Sequence, residues 1–352
     1  MRSTSFSRAG AYSPTRWSTC WRTFRAPALC TPGSRAGVPE DRAISASSTR
    51  VYLIDASVYI FRAWYSLPPD LVDRSGQPTH ALYGFARFLS DLLERRRPSH
   101  VAVAFDASHG RGFRNQLYPL YKANREPAPP ELVRQFALCR QYCRHLGVAE
   151  FADETFEADD LLGTLAVLCR AAGLAVTLVS RDKDLAQLIG PGDVFWDYGE
   201  AVEYRYEQIA ARFGVPPERM ADYLALRGDS VDNVPGVPGV GAKTAAVLMS
   251  HWQSLDELFE RLDAVASLPL RGAATLPARL LQHRAAAYLA QSLTRIVCNV
   301  PLAAQHSDLQ RREPDLSMIR EFCESQGFGL LLRRQAERLS LAARGNDQPF
   351  LT

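Results

Sequence analysis

Hydrophobic residues in the middle of the chain follow two patterns, short apolar runs and longer segments with helical spacing. The apolar runs over residues 50–55, 99–106 and 174–180 are typical of buried parallel strands. Helical spacing over residues 81–94 and 157–172 predicts helices with one buried face. This order of strands and helices predicts a parallel α/β sheet flanked by helices.

Acidic residues follow the ends of the predicted strands. Asp55 closes the first strand, Asp106 closes the second, and Asp182 lies just past the third. In an open α/β sheet, ligand sites form at the carboxyl ends of the strands. We therefore expect these acids to gather along one edge of the sheet.

Five carboxylates form two tight clusters near the third predicted strand. One of them alone would be read as a helix cap or a turn residue. As a set they would repel one another unless a cation lay among them, and hard oxygen ligands select Mg²⁺ or Mn²⁺. The five are Glu157, Asp159, Asp160, Asp182 and Asp184.

Residues 107–131 have a different character, because cations alternate with aromatic residues among glycines and prolines. Arg114, Tyr121, Lys122 and Arg125 belong to this segment. Such a segment can stack bases and hold phosphates. An ordinary surface loop is the alternative interpretation.

A glycine-rich turn over residues 235–244 opens another predicted helix, and Asp229 and Asp232 precede it. Outward-facing backbone N–H groups at a helix start bind phosphate without reading base sequence. The turn is not a Walker loop, because the four-residue gap before Gly-Lys is absent.

The chain has 352 residues, of which 47% are hydrophobic, and a formal net charge of +3. It is long enough for one elaborated domain or two closely joined ones. Any nucleic-acid binding must therefore come from local basic patches. Seven cysteines lack paired metal-ligand spacing, which predicts reduced thiols in a cytoplasmic protein. Lys122, Lys183 and Lys243 are the three lysines, so each marks a site where a compact ammonium is needed.

Residues 1–49 show no consistent periodicity and contain almost no acids. Their composition is that of a transit peptide. Alternatively, the chain starts upstream of its true beginning, since the next methionine is Met220. We expect the segment to be disordered and outside the fold.

Together these residues resemble the flap endonuclease and 5′-nuclease family, specifically the bacterial 5′-3′ exonuclease domain found at the N-terminus of DNA polymerase I. The similarity runs from about Val51 to about Leu339. The motifs that carry it are Leu53-Ile54-Asp55, Ala104-Phe105-Asp106, Tyr121-Lys122-Ala123-Asn124-Arg125, Glu157-Ala158-Asp159-Asp160, Asp182-Lys183-Asp184, Gly228-Asp229-Ser230-Val231-Asp232-Asn233 and the helix-hairpin-helix from Pro235 to Thr244. Arg181 and Val231 depart from the family pattern, but neither removes a carboxylate.

The resemblance implies a PIN-like α/β nuclease domain over residues 50–205, with a helical arch at about 107–131. A helix-hairpin-helix DNA-binding region with C-terminal helices then covers 206–340, and 341–352 form a tail. No polymerase domain follows, so a stand-alone enzyme is expected.

The resemblance also implies two-metal hydrolysis of DNA phosphodiesters, with Mg²⁺ or Mn²⁺ ions about 4 Å apart. A K⁺ ion at the hairpin is a further expectation. The first metal is assigned to Asp55, Asp106, Glu157, Asp159 and Asp160, and the second to Asp182, Asp184, Asp229 and Asp232.

Further roles are carried over from the family residue by residue. Lys122 and Arg125 are expected at the scissile phosphate as catalytic groups. Tyr83 and Tyr121 are candidates for base stacking, with a core role as the alternative. The remaining candidates for DNA contact are Arg62, Arg114, Gly236, Val237, Gly239, Gly241 and Lys243.

The expected activity is a 5′-3′ exonuclease and flap endonuclease acting on DNA 5′ ends, flaps and junctions in replication and repair. We expect a monomer in the bacterial cytoplasm, near the nucleoid, that works with a DNA polymerase and has no membrane contact. One alternative is a nuclease acting mainly on RNA, of PIN type or on primers; the helix-hairpin-helix disfavours a plain PIN ribonuclease. The other is a non-catalytic junction-binding protein, which the complete acid set disfavours.

Overall fold

A computed structural model of the protein describes residues 49–108 and 110–345. Its centre is a six-stranded sheet in the order β3-β2-β1-β4-β5-β6. The pairs among β1 to β5 are parallel, and β6 runs antiparallel to β5. The strands are β1 Arg50–Asp55, β2 His100–Asp106, β3 Ala149–Asp153, β4 Ala175–Val179, β5 Val194–Asp197 and β6 Val202–Arg205.

Helices cover both faces of the sheet and form the C-terminal region. The α-helices are α1 Ala56–Ser66, α2 His80–Arg96, α3 Phe113–Leu117, α4 Pro130–His145, α5 Ala158–Ala171, α6 Tyr206–Phe213, α7 Met220–Arg227, α8 Ala242–His251, α9 Leu255–Glu260, α10 Leu262–Val265, α11 Leu276–Gln282, α12 Arg284–Thr294, α13 Leu316–Ser325 and α14 Leu330–Gly345. Short 3-10 helices lie at Lys183–Leu188, Pro217–Arg219, Ala273–Thr275 and His306–Leu309.

Side chains of β1 alternate between two apolar cores, as a pleated strand requires. Val51 and Leu53 pack into the first core, which α5, α7, α8 and α12 share. Ile54 packs into the second core, together with α1, α2, α4, α13 and α14. The helices after β6 therefore continue the first core of the sheet.

The predicted α/β fold is confirmed, and several elements agree closely with their predicted bounds. The predicted helix over 157–172 is α5, and α6 ends at Gly214, whose φ of 92° is left-handed. The sequence analysis missed β3 and the antiparallel β6. Predictions for residues 1–48 and 346–352 lie outside the described residues, and the domain boundaries stay predictions. No helix in the described part of the chain combines the length and apolar character needed to cross a membrane.

Candidate functional site

The first acids of the site are held at the carboxyl edge of the two central strands. Asp55 caps α1, and its Oδ1 accepts a hydrogen bond from the Ser57 amide at 3.0 Å. Ser180, just past β4, donates its hydroxyl to Asp55 Oδ2 at 3.0 Å. The same hydroxyl accepts the Asp182 amide at 3.0 Å. Parallel pairing of β1 with β4 thus brings Asp55 and Asp182 together.

The start of α5 adds acids to this edge. Burial raises the pKa of Asp159 well above its usual value, and the charges of Asp182, Asp55 and Glu157 raise it further. Burial and the charge of Asp182 likewise raise the pKa of Asp55 to about 7. These carboxylates are therefore close enough to oppose each other's ionisation.

A second group of acids adjoins the first through Asp182. Burial and the Asp182 charge raise the pKa of Asp184 to about 7, with contributions from Asp229 and Asp232. Asp184 Oδ1 is a buried oxygen without a hydrogen-bond partner among the described residues. Lys183 Nζ lies 2.5 Å from Asp229 Oδ2 and 3.4 Å from Asp184 Oδ1. Burial opposes ionisation of Asp229, but Lys183 lowers its pKa overall.

Asp106 lies at the end of β2, beside β1. Its Oδ1 accepts hydrogen bonds from the Ser108 amide at 3.0 Å and the Ser108 hydroxyl at 2.8 Å. One oxygen is therefore occupied by the turn, while the strand end places the carboxylate on the same edge as Asp55.

The two predicted catalytic cations lie among the acids. Lys122 Nζ is 2.7 Å from Glu157 Oε1 and 3.8 Å from Asp232 Oδ2. Burial alone would lower the pKa of Lys122, yet the charges of Glu157, Tyr121 and Asp232 raise it well above its usual value. Arg125 donates to Asp232 Oδ1. The structure thus brings both cations to the site that the acids form.

Asp160 and Arg114 differ from their predicted roles. Asp160 is fully buried, and both of its oxygens accept from the Arg114 guanidinium, at 2.6 and 2.8 Å. Asp160 also accepts the amides of Val297 at 2.9 Å and Glu157 at 3.1 Å. Arg114 is 3% exposed and donates its Nε to the Leu293 carbonyl. We therefore correct both assignments, because the carboxylate is saturated and the guanidinium cannot reach DNA.

One of the two stacking predictions also needs correction. Tyr121 is 4% exposed, and its hydroxyl donates to Glu157 Oε2 at 3.1 Å, so it belongs to the core. Tyr83 lies on α2, where its ring meets Phe328 edge-on with centroids 5.4 Å apart. The stacking role of Tyr83 stays a prediction. The stacking assignment is therefore corrected for Tyr121 alone.

Arg62 lies in the second half of α1. Its Nη1 is 2.9 Å from the position that a Cβ on Gly199 would take, in the turn after β5. The phosphate contact assigned to Arg62 stays a prediction.

The glycine hairpin has one closed side and one open side. A Cβ on Gly236 would lie 2.4 Å from the Arg227 carbonyl oxygen, so only glycine fits. Val237 is 2% exposed and donates its amide to the Leu226 carbonyl at 2.9 Å, so its predicted DNA contact is corrected.

The open side of the hairpin faces solvent. Gly239 and Lys243 are exposed, and Gly241 is the exposed N-cap of α8. A Cβ added at Gly241 would meet no atom within 4 Å. These three residues leave room for a phosphate to approach the helix start.

The acid edge fits a divalent cation by its donor chemistry. Within residues 49–108 and 110–345, no three His, Cys, Asp or Glu side chains are arranged so that they could hold a metal ion. The donors are hard oxygens, the carboxylates of Asp55, Asp159 and Asp184 have raised pKa values, and Asp184 Oδ1 accepts no hydrogen bond from the described residues. A bound cation would relieve each of these features.

Four residues at the site were given no role from the sequence. Ser180 links Asp55 to Asp182 through its hydroxyl, and Lys183 neutralises Asp229. The scarcity of lysine was a signal for Lys183. No sequence signal pointed to Asn124 and Asn233, whose amides join the arch to the turn that carries Asp232.

Comparison with known families agrees with this architecture. Residues 50–214 match the family model described as 5′-3′ exonuclease, N-terminal resolvase-like domain, and residues 215–317 match 5′-3′ exonuclease, C-terminal SAM fold. The chain belongs to the 5′-3′ exonuclease family.

The chain is also similar in sequence to individual curated proteins. DNA polymerase I of Rhizobium leguminosarum is 38% identical over 294 residues, which are 82% of this chain and 28% of that relative. The chain spans about a third of the length of the curated relatives that it matches.

Solved structures share the fold at low sequence identity. T5 5′-exonuclease with bound zinc ions has a TM-score of 0.58 at 17% identity, covering 82% of this chain and 98% of that one. Human GEN1 in complex with Holliday junction DNA has a TM-score of 0.56 at 12% identity, covering 86% and 76%. The predicted PIN-like nuclease fold is confirmed.

Proposed function

We propose that this protein is a metal-dependent 5′-3′ exonuclease and flap endonuclease that hydrolyses DNA phosphodiesters at 5′ ends and flap junctions. The observation that carries the proposal is the row of carboxylates at the carboxyl edge of the sheet, with Lys122 and Arg125 among them. Family membership and the DNA-bound and metal-bound neighbours support it.

Eight carboxylates form the proposed metal site, since Asp160 is saturated by Arg114. Bound Mg²⁺ or Mn²⁺ would supply an activated water and stabilise the leaving oxygen. We assign the first ion to Asp55, Asp106, Glu157 and Asp159, and the second to Asp182, Asp184, Asp229 and Asp232.

Other residues of the chain would bind and orient the substrate. Lys122 and Arg125 reach the acid edge, where they would neutralise charge that develops on the scissile phosphate. Lys183 keeps Asp229 ionised and fixes its position. Gly241 and Lys243 would hold the duplex by its phosphates at the start of α8. Binding would therefore follow the shape of the junction, not its base sequence.

Further aspects of the proposal concern the cellular setting. Because chromosomal DNA is the substrate, we place the enzyme in the bacterial cytoplasm, near the nucleoid, as a monomer that works with a DNA polymerase in replication and repair. A K⁺ ion at the hairpin remains part of the proposal. Comparing duplex affinity in KCl and NaCl at equal ionic strength tests the K⁺ site.

Cleavage of a 5′-labelled flapped duplex with Mg²⁺, Mn²⁺ or EDTA tests the activity. We expect cutting near the junction that requires the metal and is lost in Asp182→Ala, whose side chain is exposed and supports no core. Asp263→Ala removes another exposed aspartate, on α10, and serves as the matched control. Tight junction binding without cleavage under any metal would favour the non-catalytic scaffold instead. An RNA flap of the same geometry tests the ribonuclease alternative.

A further inference from the structure

The arch is joined to the turn over residues 229–234 by two asparagine side chains that cross in opposite directions. Asn124 Nδ2, on the arch, donates to the Ser230 carbonyl at 3.0 Å. Asn233 Nδ2, on the turn, donates to the Leu120 carbonyl at 2.7 Å. We call this pair, Asn124 and Asn233, the asparagine clasp.

The backbone enclosed by the clasp is unusual. Lys122 has a φ of 55° and Asn233 a φ of 54°, both in the left-handed region. Asparagine enters this region readily, whereas lysine does so only when its surroundings hold it there. The Lys122 amide donates to the Asp232 carbonyl at 2.9 Å, between the two bonds of the clasp. The clasp therefore borders the strained residue on both sides.

The conformation of this backbone decides where the two cations point. From its left-handed position Lys122 reaches Glu157 Oε1 at 2.7 Å, and Arg125 reaches Asp232. A change of φ at Lys122 to the ordinary range would redirect its side chain away from the acid edge. The position of the Lys122 ammonium therefore depends on the hydrogen bonds of the asparagine clasp and of the backbone. The side chains of Lys122 and Arg125 do not make these bonds.

We propose that Asn124 and Asn233 are positioning residues that hold Lys122 and Arg125 at the acid edge. The proposal rests on the proposed nuclease function and deepens it. Asparagine suits this task because its short side chain carries N–H donors for a carbonyl acceptor. The turn itself is rigid, since Asp229 and Val234 exchange backbone hydrogen bonds at 3.0 and 2.7 Å.

Hydrogen exchange of the Lys122 amide tests the clasp without any catalytic readout. Asn124→Ala removes an exposed amide, and Asn233→Gly removes the other while keeping a residue that tolerates positive φ. Losing one hydrogen bond should speed exchange at Lys122 about five- to tenfold in either variant. Asn299→Ala, an exposed asparagine outside the arch and the turn, is the control and should leave exchange unchanged. Unchanged protection in both clasp variants would overturn the proposal.

Cleavage kinetics separate positioning from general stability. In either clasp variant kcat should fall about five- to tenfold with little change in KM, because a misplaced ammonium stabilises the transition state less well. In a background that carries both Lys122→Ala and Arg125→Ala, Asn124→Ala should cost little more, since both groups that the clasp positions are gone. A full additional loss in that background would show that the clasp acts elsewhere and would refute the inference. Absence of cleavage in the wild type would defeat the nuclease proposal, while amide exchange would still decide on the clasp.

Discussion

Neighbouring aspartates at the start of α5 have opposite environments. Asp159 faces Asp182, Asp55 and Glu157, so its ionisation is opposed. Asp160 faces Arg114 and two backbone amides, which donate hydrogen bonds to both of its oxygens. Asp159 would therefore belong to the metal site, whereas Asp160 would stabilise the buried Arg114.

Replacing each aspartate with asparagine should separate the two roles. Asp160→Asn removes the two-oxygen partner of the buried Arg114 and leaves it, among the described carboxylates, only Glu157 Oε2 at 3.6 Å, which should lower stability by about 3–5 kcal/mol. Asp159→Asn removes a repelling charge, so the melting temperature in EDTA should rise while Mn²⁺ binding weakens. Calorimetric unfolding in EDTA and Mn²⁺ titration by isothermal calorimetry provide the two measurements. If Asp160→Asn folds and its Mn²⁺ binding is weakened as much as that of Asp159→Asn, then Asp160 is a metal ligand after all.

The raised pKa of Asp184 predicts how stability depends on pH. Its usual value is 3.8, and its value in the folded protein is about 7. Between these values the folded state holds the proton that the unfolded state has released, so stability falls as pH rises through this window. In EDTA the melting temperature should fall as the pH rises from 3.8 to about 7, and fall less in Asp184→Asn. Equal slopes for the wild type and the variant would contradict the assignment.

At the scale of elements, β1, β2 and β4 could be predicted because continuous apolar runs mark strands buried on both faces. β3 and β6 could not, since every residue of β3 is half-buried and β6 is largely exposed. Because β1, β2 and β4 could be predicted, the acids that follow their ends could be predicted as well. The roles of Arg114, Tyr121 and Asp160 depend on contacts far apart in sequence, such as Arg114 with Leu293, and periodicity carries no information about those.

Two glycine variants test whether the hairpin contacts the DNA. Gly236→Ala would bring a Cβ to within 2.4 Å of the Arg227 carbonyl oxygen, so the turn must shift. Such overpacking costs about 1–3 kcal/mol, and the shifted turn should bind duplex DNA about tenfold more weakly. Gly329→Ala, outside the hairpin, meets no atom within 4 Å and should keep the affinity close to that of the wild type. Fluorescence anisotropy with a flapped duplex measures both variants, and equal affinities would show that the hairpin does not contact the DNA.

At the scale of the whole molecule, one apolar core and one acid edge join the two family regions. The core that contains Val51 and Leu53 continues through α7, α8 and α12. Asp184 from the first region lies near Asp229 and Asp232 from the second. Packing and any bound cation therefore link both regions.

This linkage predicts that the folded part unfolds as one unit and that divalent metal stabilises all of it. A ligand at a concentration of about 100 times its Kd adds about 2.7 kcal/mol to the free energy of unfolding. Differential scanning calorimetry should show one transition in EDTA that moves to higher temperature as Mg²⁺ is added. In Asp182→Ala, which removes the acid between the two carboxylate groups, the shift should be much smaller. Two separate transitions, with only one responding to Mg²⁺, would show that the regions fold independently and that the acids of a single region hold the metal.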